Sequence, residues 1–318
     1  MADSPFHNLY KTVPVLSGEK ESRFVKIFPD SVEDDLQAAV FSRSLKDFHD
    51  FFALSYTWGS SLKSQATIRL NGFRCGITDN LYLGLKKLRA RLCKSSPATV
   101  WIDSISINQD DTDEKDVQVP MMKDISSSAS RVVIWLGNRD ETLDRTMEFM
   151  ERIPPNIDNL PPIFSGPDDL ATLCRVADLE PTSIVKGLLD ICNRPWFRRT
   201  WILQEVALPT LTPLVLCGNS LICWDCFIHS LGYLRYFFIE DINAQRLPPS
   251  VQNEIQGSER LDPHTPNVTY HMRDYYRHWK DILGGVPFMS LLEDTALCLS
   301  TNPRDKIYGF LALADDES

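Results

Sequence analysis

Three short apolar runs, separated by segments with helical periodicity, constrain the fold of this chain more than any other feature. The runs occupy residues 51–56, 100–107 and 131–137 and are rich in aliphatic and aromatic side chains. Such runs are typical of strands buried on both faces of a parallel sheet. Between the first two runs, leucines recur at helical spacing, at Leu81, Leu85, Leu88 and Leu92. Strands that alternate with amphipathic helices predict an α/β fold with a doubly wound, mainly parallel sheet.

The length of 318 residues fits one core domain with an appended part. We expect a lead-in strand and loop over residues 1–50 and a core α/β domain over residues 51–218. Six prolines between positions 154 and 181 predict a long irregular insertion, residues 154–181, within that core. Residues 219–318 are expected to form a mainly helical extension that packs on the core.

The charge balance and the hydropathy of the chain exclude several classes of partner. The 33 Lys and Arg residues face 43 Asp and Glu residues, which gives a formal charge of −10 and disfavours nucleic-acid binding. No stretch approaches the ~20 apolar residues of a membrane span, and the N-terminus lacks the apolar core of a signal peptide. We therefore expect a cytoplasmic protein with no membrane span.

The eight dispersed cysteines fit buried, reduced thiols better than a disulfide framework. The segment Cys223-Trp-Asp-Cys226, with Cys217 and His229 nearby, has metal-ligand residue types at roughly zinc-like spacing. It is the only CxxC in the chain, however, and its neighbours are apolar. The balance favours structural thiols, and no metal site is predicted.

Polar and aromatic residues follow the first two predicted strands, where ligands bind in parallel α/β sheets. A structural alternative exists for each of them: a loop cap for Asp103, a local turn for Asn108 and Gln109, and core packing for Tyr56 and Trp58. A Trp directly before Gly59 is nevertheless well placed to line the mouth of a pocket. The candidate site residues from these two segments are Ser55, Tyr56, Trp58, Gly59, Asp103, Asn108 and Gln109.

A later segment places a carboxylate on an apolar helical face. Phe197, Trp201 and Glu205 are spaced four residues apart, so a continuous helix would align them. A carboxylate in that position is either paired or functional. The structural alternative is a buried ion pair with a nearby arginine, which is Arg194, Arg198 or Arg199. Phosphate-binding glycine loops, HExxH and GxSxG motifs are absent from the sequence, which argues against a kinase or a triad hydrolase.

Four segments, in this order and spacing, resemble the HET (heterokaryon incompatibility) domain of filamentous fungi. They are Leu54-Ser-Tyr-Thr-Trp-Gly59, Trp101-Ile-Asp-Ser-Ile-Ser-Ile-Asn-Gln109 with Glu114 and Gln118, Val132-Val-Ile-Trp-Leu-Gly137, and Arg194-Pro-Trp-Phe-Arg-Arg-Thr-Trp-Ile-Leu-Gln-Glu205. The chain departs from the family pattern in having Ser106 in place of a usual Cys, Ser126 in place of a usual Tyr, and Pro120 within a helix that usually lacks proline.

The HET family is in turn similar to TIR domains, which are flavodoxin-like α/β modules of immunity. The segment Trp201-Ile-Leu-Gln-Glu205 matches the TIR pattern of Trp followed four residues later by Glu, and in TIR enzymes that glutamate serves NAD cleavage. The resemblance therefore implies a TIR-like fold, Glu205 as the catalytic residue, and NAD as substrate without a further cofactor. For substrate binding it implies Ser55, Tyr56, Trp58, Gly59, Asp103, Asn108, Gln109 and Trp201.

The resemblance also implies a biological role, that of an effector of fungal non-self recognition and programmed cell death. It implies NAD glycohydrolase activity, a homo-oligomer in the active state, and an upstream recognition protein as partner. The alternative is a non-enzymatic, self-associating signalling module that triggers cell death through partners. In that alternative Glu205 serves only a structural ion pair.

Overall fold

A computed structural model describes residues 5–15, 20–29, 36–59, 64–138, 141–152 and 180–238, with shorter stretches between 249 and 314. The predicted proline-rich insertion lies outside the described residues except for its last two positions. The predicted extension, residues 219–318, is described continuously only as far as residue 238. The division into these domains stays a prediction.

The centre of the described structure is a nine-stranded sheet with the order β5-β4-β2-β1-β6-β3-β7-β8-β9. The strands are β1 (Glu21–Ile27), β2 (Gln37–Ser44), β3 (Phe52–Tyr56), β4 (Thr67–Leu70), β5 (Phe73–Gly76), β6 (Ala98–Trp101), β7 (Arg131–Trp135), β8 (Leu214–Cys217) and β9 (Ser220–Cys223). The α/β fold class is confirmed. The second apolar run ends as a strand at Trp101 rather than at residue 107, because Asp103 begins a helical turn.

The middle of the sheet is parallel, and its outer parts are mixed. Strands β6, β3, β7 and β8 pair in parallel. Numbered along the chain, these four stand in the order 2-1-3-4, which is that of flavodoxin-like doubly wound sheets. Antiparallel pairs are added by β1 with β2 and β6, by β4 with β5, and by β8 with β9. The predicted parallel core is therefore extended by hairpins and by the N-terminal strands.

Helices cover both faces of this sheet. They are α1 (Pro5–Thr12), α2 (Asp79–Leu92), α3 (Asp103–Ser106), α4 (Thr112–Gln118), α5 (Met122–Ser128), α6 (Glu141–Arg152), α7 (Pro181–Cys192), α8 (Ile202–Ala207), α9 (Trp224–Phe238) and α10 (Phe288–Asp294), with a 3-10 helix at Pro195–Arg198. The predicted leucines bury one face of α2 against the sheet. Among the described residues no helix is long and apolar enough to cross a membrane.

Two hydrophobic cores result, one on each face. The α2-side core contains α1 and α2 and the strand residues Leu54, Tyr56 and Val133. The α8-side core contains residues of α5 to α9 and the strand residues Ala53 and Val132. Successive residues of β3 contribute to opposite cores, because neighbouring side chains in a strand point to opposite faces of the sheet. Ser55 is the polar exception in β3, and its hydroxyl forms hydrogen bonds with Glu205 of α8 and with Trp196 of the α8-side core.

The N-terminal segment contributes more than a lead-in strand, since β1 lies between β2 and β6. Arg23 of β1 is 2% exposed and forms a two-pronged ion pair with Glu114, at 2.5 and 3.0 Å. Glu114 also accepts the backbone N–H of Asn108 at 2.7 Å. Gln118 accepts the hydroxyl of Ser22 at 2.8 Å. Two polar residues of the family-like motifs thus hold β1 in the sheet.

The cysteines differ from the expectation at one place. A disulfide joins Cys223 and Cys226, so the prediction that this pair is reduced was wrong. The physical reason is local: Cys223 ends β9, and the first turn of α9 brings the side chain three residues later back beside it. Five other described cysteines are buried thiols, as expected: Cys75, Cys93, Cys192, Cys217 and Cys298. Among the described side chains, no group of three or more His, Cys, Asp or Glu is arranged to hold a metal ion.

Candidate functional site

A buried carboxyl lies at the carboxyl end of β3. Glu205, in α8, is 8% exposed, and its Oε2 accepts the hydroxyl of Ser55. The indole Nε1 of Trp196 donates to the same hydroxyl oxygen at 2.7 Å. The Nη1 of Arg199 lies 3.8 Å from Glu205 Oε2 and donates to the carbonyl of Tyr56 at 2.6 Å. Strand β3 and the segment that leads into α8 therefore fix the carboxylate from two sides.

A second carboxyl, that of Asp103, follows β6 beside this cluster. Its Oδ2 accepts the indole N–H of Trp58 at 2.7 Å, and its Oδ1 accepts the backbone N–H of Ser104 at 2.7 Å. The hydroxyl of Tyr56 donates to the hydroxyl of Ser104 at 2.6 Å. Trp58 is 41% exposed, whereas Tyr56 is 1% exposed. The exposed indole is thus held in place by a carboxylate at the carboxyl ends of the central strands.

Burial shifts the acidity of both carboxyls. Burial raises the pKa of Glu205, while the Arg199 guanidinium and the Ser55 hydroxyl lower it, and the charge of Asp103 raises it further. Burial also raises the pKa of Asp103, against the lowering effects of Arg199 and of the hydrogen bond from Trp58. The Arg199 guanidinium lowers the pKa of both carboxyls, and the negative charge of Asp103 disfavours the ionisation of Glu205. Such an arrangement is frequent at functional sites and also occurs in structural ion-pair networks.

The phenol of Tyr56 is kept neutral by its surroundings. Burial raises its pKa well above the ordinary value, and the charge of Asp103 adds to this effect. The side chain packs in the α2-side core, and its carbonyl oxygen holds Arg199 on the other face of β3. Tyr56 therefore links the two faces of the sheet at the site.

Two of the candidate residues lie in the turn that follows α3. Gln109 donates its side-chain amide to the carbonyl of Asp103 at 3.1 Å. Asn108 accepts the backbone N–H of Asp110 at 3.2 Å, which is the local turn considered above as its structural alternative. These residues support the loop that carries Asp103.

Gly59 and Trp201 lie at the margins of the cluster. Gly59 has a φ of 74°, which favours glycine, and it ends the described part of the segment after β3. Trp201 is half-buried, packs against the α8-side core and immediately precedes α8. Its carbonyl accepts the backbone N–H of Glu205 at 3.3 Å, so the two residues are one helical turn apart.

The continuous helix expected through residues 197, 201 and 205 is not formed, so Phe197 does not share a helical face with Glu205. Helix α7 ends at Cys192, a 3-10 turn spans Pro195–Arg198, and Arg199 is extended before α8 begins. Pro195 occupies the first position of the 3-10 turn, where its missing N–H costs nothing. The break at this point lets Trp196 and Arg199 both reach the end of β3.

Sequence reasoning assigned no role to Trp196 or Ser104, and it gave Arg199 only as one of three possible ion-pair partners. The available signal was the density of Trp and Arg in residues 194–201. Arg194 pairs instead with Asp190 and donates to the carbonyl of Asn138 at 2.9 Å. The arginine that faces Glu205 is determined by the interruption of helical structure before α8, so residue spacing alone does not identify it.

The fold and the site together define a class: a doubly wound α/β domain with a buried carboxylate at the carboxyl ends of its central parallel strands, the usual place for ligands in such sheets. Residues 51–205, just under half of the chain, match the model of the heterokaryon incompatibility protein (HET) family, and this segment is similar to a HET domain. It is 28% identical to heterokaryon incompatibility protein 6, OR allele, of Neurospora crassa, over 96% of this chain and 49% of the relative. The chain thus spans about half the length of that curated relative. No solved structure matches the chain significantly.

Proposed function

We propose that this chain is an effector of non-self recognition and programmed cell death, and that its HET domain cleaves the nicotinamide–ribose bond of NAD. The observation that carries the proposal is Glu205, a buried carboxyl at the carboxyl end of β3. The family match and the name of the Neurospora relative support the role in incompatibility. Because the chain spans about half of that relative, the activity of the whole protein belongs to the proposal.

The chemistry of this cleavage suits a site with few catalytic groups. Nicotinamide leaves the cationic pyridinium as a neutral base, so its departure needs no general acid. The ribose then carries developing positive charge, which a fixed carboxylate stabilises as in glycosidases. Ser55 and Arg199 favour the ionised form of Glu205 against the effect of burial. The carboxylate is therefore held in position before substrate arrives.

The exposed indole supplies a binding surface for the pyridinium ring. Trp58 is fixed by its hydrogen bond to Asp103, and a cation stacked on such a face gains about 0.5 to 2 kcal/mol. The ring of Tyr56 is buried, so in this proposal its part is to position Arg199. The attraction weakens as nicotinamide becomes neutral, and the stacking accordingly helps binding more than rate.

The proposal is tested by nicotinamide release from NAD with the full chain at high protein concentration, with and without a crowding agent. Glu205→Gln keeps an acceptor for Ser55 but removes the charge, and we expect turnover to fall at least about 100-fold. The exposed Glu148→Gln is the matched control and should retain wild-type turnover. Undiminished turnover by folded Glu205→Gln would show that Glu205 is not catalytic.

One observation favours the non-enzymatic alternative. Glu205 is already engaged by Ser55 and lies 3.8 Å from Arg199, as a structural ion pair would be. On this alternative the chain triggers death through partners, and Glu205→Gln lowers the melting temperature and the toxicity together. Loss of toxicity at an unchanged melting temperature supports catalysis instead. A wild type that kills cells but releases no nicotinamide would favour the interaction module.

The proposal includes assembly and location. We propose a cytoplasmic protein that forms a homo-oligomer when active and responds to an upstream recognition protein. Light scattering of the purified chain across a concentration series, with nicotinamide release measured in parallel, tests the oligomer. Turnover per subunit that stays constant while the mass remains that of a monomer would contradict it.

A further inference from the structure

The disulfide between Cys223 and Cys226 lies at the junction of β9 and α9. Both cysteines are half-buried, and Asp225 between them is exposed. The other cysteines in the described part of the chain are thiols, and all of them are buried. A thiol reagent in solution therefore reaches this bond more readily than it reaches the other described cysteines.

The start of α9 favours release of one particular sulfur as a thiolate. The backbone N–H of Cys226 points at Cys223 Sγ, 3.2 Å away. This N–H belongs to the first turn of a 15-residue helix, where unpaired donors and the helix dipole stabilise negative charge. A sulfur in such a place is a good leaving group in thiol–disulfide exchange. Attack on Cys226 Sγ is the chemically favoured direction.

The same helical turn packs against the segment that holds Glu205. Trp224, between the two cysteines, lies edge-on to Trp196 with ring centroids 5.9 Å apart. One turn later, Phe227 stacks on Phe197 at 6.4 Å. Trp196 in turn donates to Ser55, which donates to Glu205. Direct contacts thus run from the disulfide to the buried carboxylate.

We propose that Cys223 and Cys226 form a redox-active dithiol–disulfide couple whose state sets the position of Trp196 and thereby its hydrogen bond to Ser55. The reaction partner is a dithiol. One of its thiolates attacks Cys226 Sγ, the S–S bond breaks, and Cys223 leaves as a thiolate. The second thiol of the partner then displaces Cys226. Two electrons and two protons pass to the protein, and the partner becomes a disulfide.

Reduction removes a covalent constraint on the first turn of α9. Trp224 is 1% exposed and tightly packed, so a shift of the turn is transmitted to Trp196 through their ring contact. The consequence is a change at the hydrogen bond between Trp196 and Ser55. This coupling is independent of whether the site cleaves NAD.

The first experiment measures the couple itself. The full chain is equilibrated with mixtures of reduced and oxidised dithiothreitol, free thiols are alkylated without denaturation, and labelled cysteines are identified by mass spectrometry. We expect Cys223 and Cys226 to become labelled together after reduction, and to escape labelling when the reduced chain is treated with glutathione disulfide before alkylation. Cys75→Ala, which removes a buried thiol of the α2-side core, should leave this transition unchanged. A bond that resists dithiothreitol in the folded chain overturns the proposal.

The second experiment measures the coupling without any activity assay. Seven tryptophans give seven indole N–H signals in a proton–nitrogen correlation spectrum. The signal that disappears in Trp196→Phe is that of the Trp196 indole. We expect the Trp196 signal to move on reduction and to stay fixed in the Cys223→Ala/Cys226→Ala double variant. If Trp196→Phe does not fold, labelling of the Trp196–Phe197 peptide with ¹³C-carbonyl Trp and ¹⁵N Phe isolates the amide signal of Phe197, and movement of that signal is measured instead. Reversible reduction with an unmoved Trp196 signal would leave a redox couple but refute its link to the site.

Discussion

At the scale of single residues, the Ser55 hydroxyl connects the hydrogen bonds of the site. Ser55 is 1% exposed, accepts from Trp196 and donates to Glu205. Ser55→Ala leaves the buried indole N–H and one carboxylate oxygen without this partner, so we expect a loss of about 1 to 3 kcal/mol in the free energy of unfolding. Urea denaturation measures it. The exposed Ser127→Ala is the control, and an equally small effect at both serines would contradict the expectation.

The pH dependence of stability should report the buried carboxyl. Burial raises the pKa of Glu205 in the folded state, so the folded chain holds this proton to higher pH than the unfolded chain. The free energy of unfolding therefore falls as pH rises from the unfolded to the folded pKa. Gln has no proton to lose at this position. The melting temperature of Glu205→Gln relative to that of the wild type should therefore increase from acidic to neutral pH. A difference that is constant with pH would show that Glu205 does not titrate as inferred.

Trp58 tests the binding part of the proposed NAD cleavage. Trp58→Ala removes the exposed indole face, and a loss of about 0.5 to 2 kcal/mol of stacking raises KM about 2- to 30-fold. We expect kcat to change little, since the interaction weakens toward the transition state. Trp58→Phe separates the aromatic face from the hydrogen bond to Asp103. A variant whose kcat falls while KM is unchanged would place Trp58 in the chemical step instead.

At the scale of elements, one buried ion pair joins β1 to the start of α4. Glu114→Gln leaves the charge of Arg23, 2% exposed, without its counter-ion, and we expect a loss of about 3 to 5 kcal/mol in the free energy of unfolding. Asp124→Asn breaks the exposed pair with Lys20 and should cost less than about 1 kcal/mol. Chemical denaturation compares the two. Similar losses at both pairs would mean that Arg23 finds other partners.

At the scale of the whole molecule, the segment that matches the family model is smaller than the nine-stranded sheet. Residues 51–205 exclude four of the nine strands, namely β1, β2, β8 and β9. Without β1 and β8, the strands β6 and β7 become open edges, and Glu114 loses Arg23. We expect the 51–205 fragment to lack the cooperative thermal transition of the full chain, as measured by circular dichroism. A sharp transition in the fragment would show that the match coincides with an independent domain.

The fold class followed from the sequence because its signals are local. The apolar runs that became β3 and β7, and the leucines of α2, carry the periods of buried strands and of an amphipathic helix. Where a local signal was ambiguous the expectation was wrong. The run 100–107 became a strand followed by the α3 turn, and the helical face expected for residues 197, 201 and 205 is interrupted at Arg199.

The alternation of strands and helices, the HET-like motifs and the apolar surroundings of Glu205 were all predictable from the residues and their spacing. The groups that this carboxylate touches depend on tertiary packing. Ser55 lies 150 residues away along the chain, Arg199 rather than Arg194 faces it, and Trp196 completes the network. Strand order and the insertion of β1 were decided at the same level. The reason is physical: periodicity is set by each segment's own backbone, whereas partners depend on how segments distant in sequence pack together.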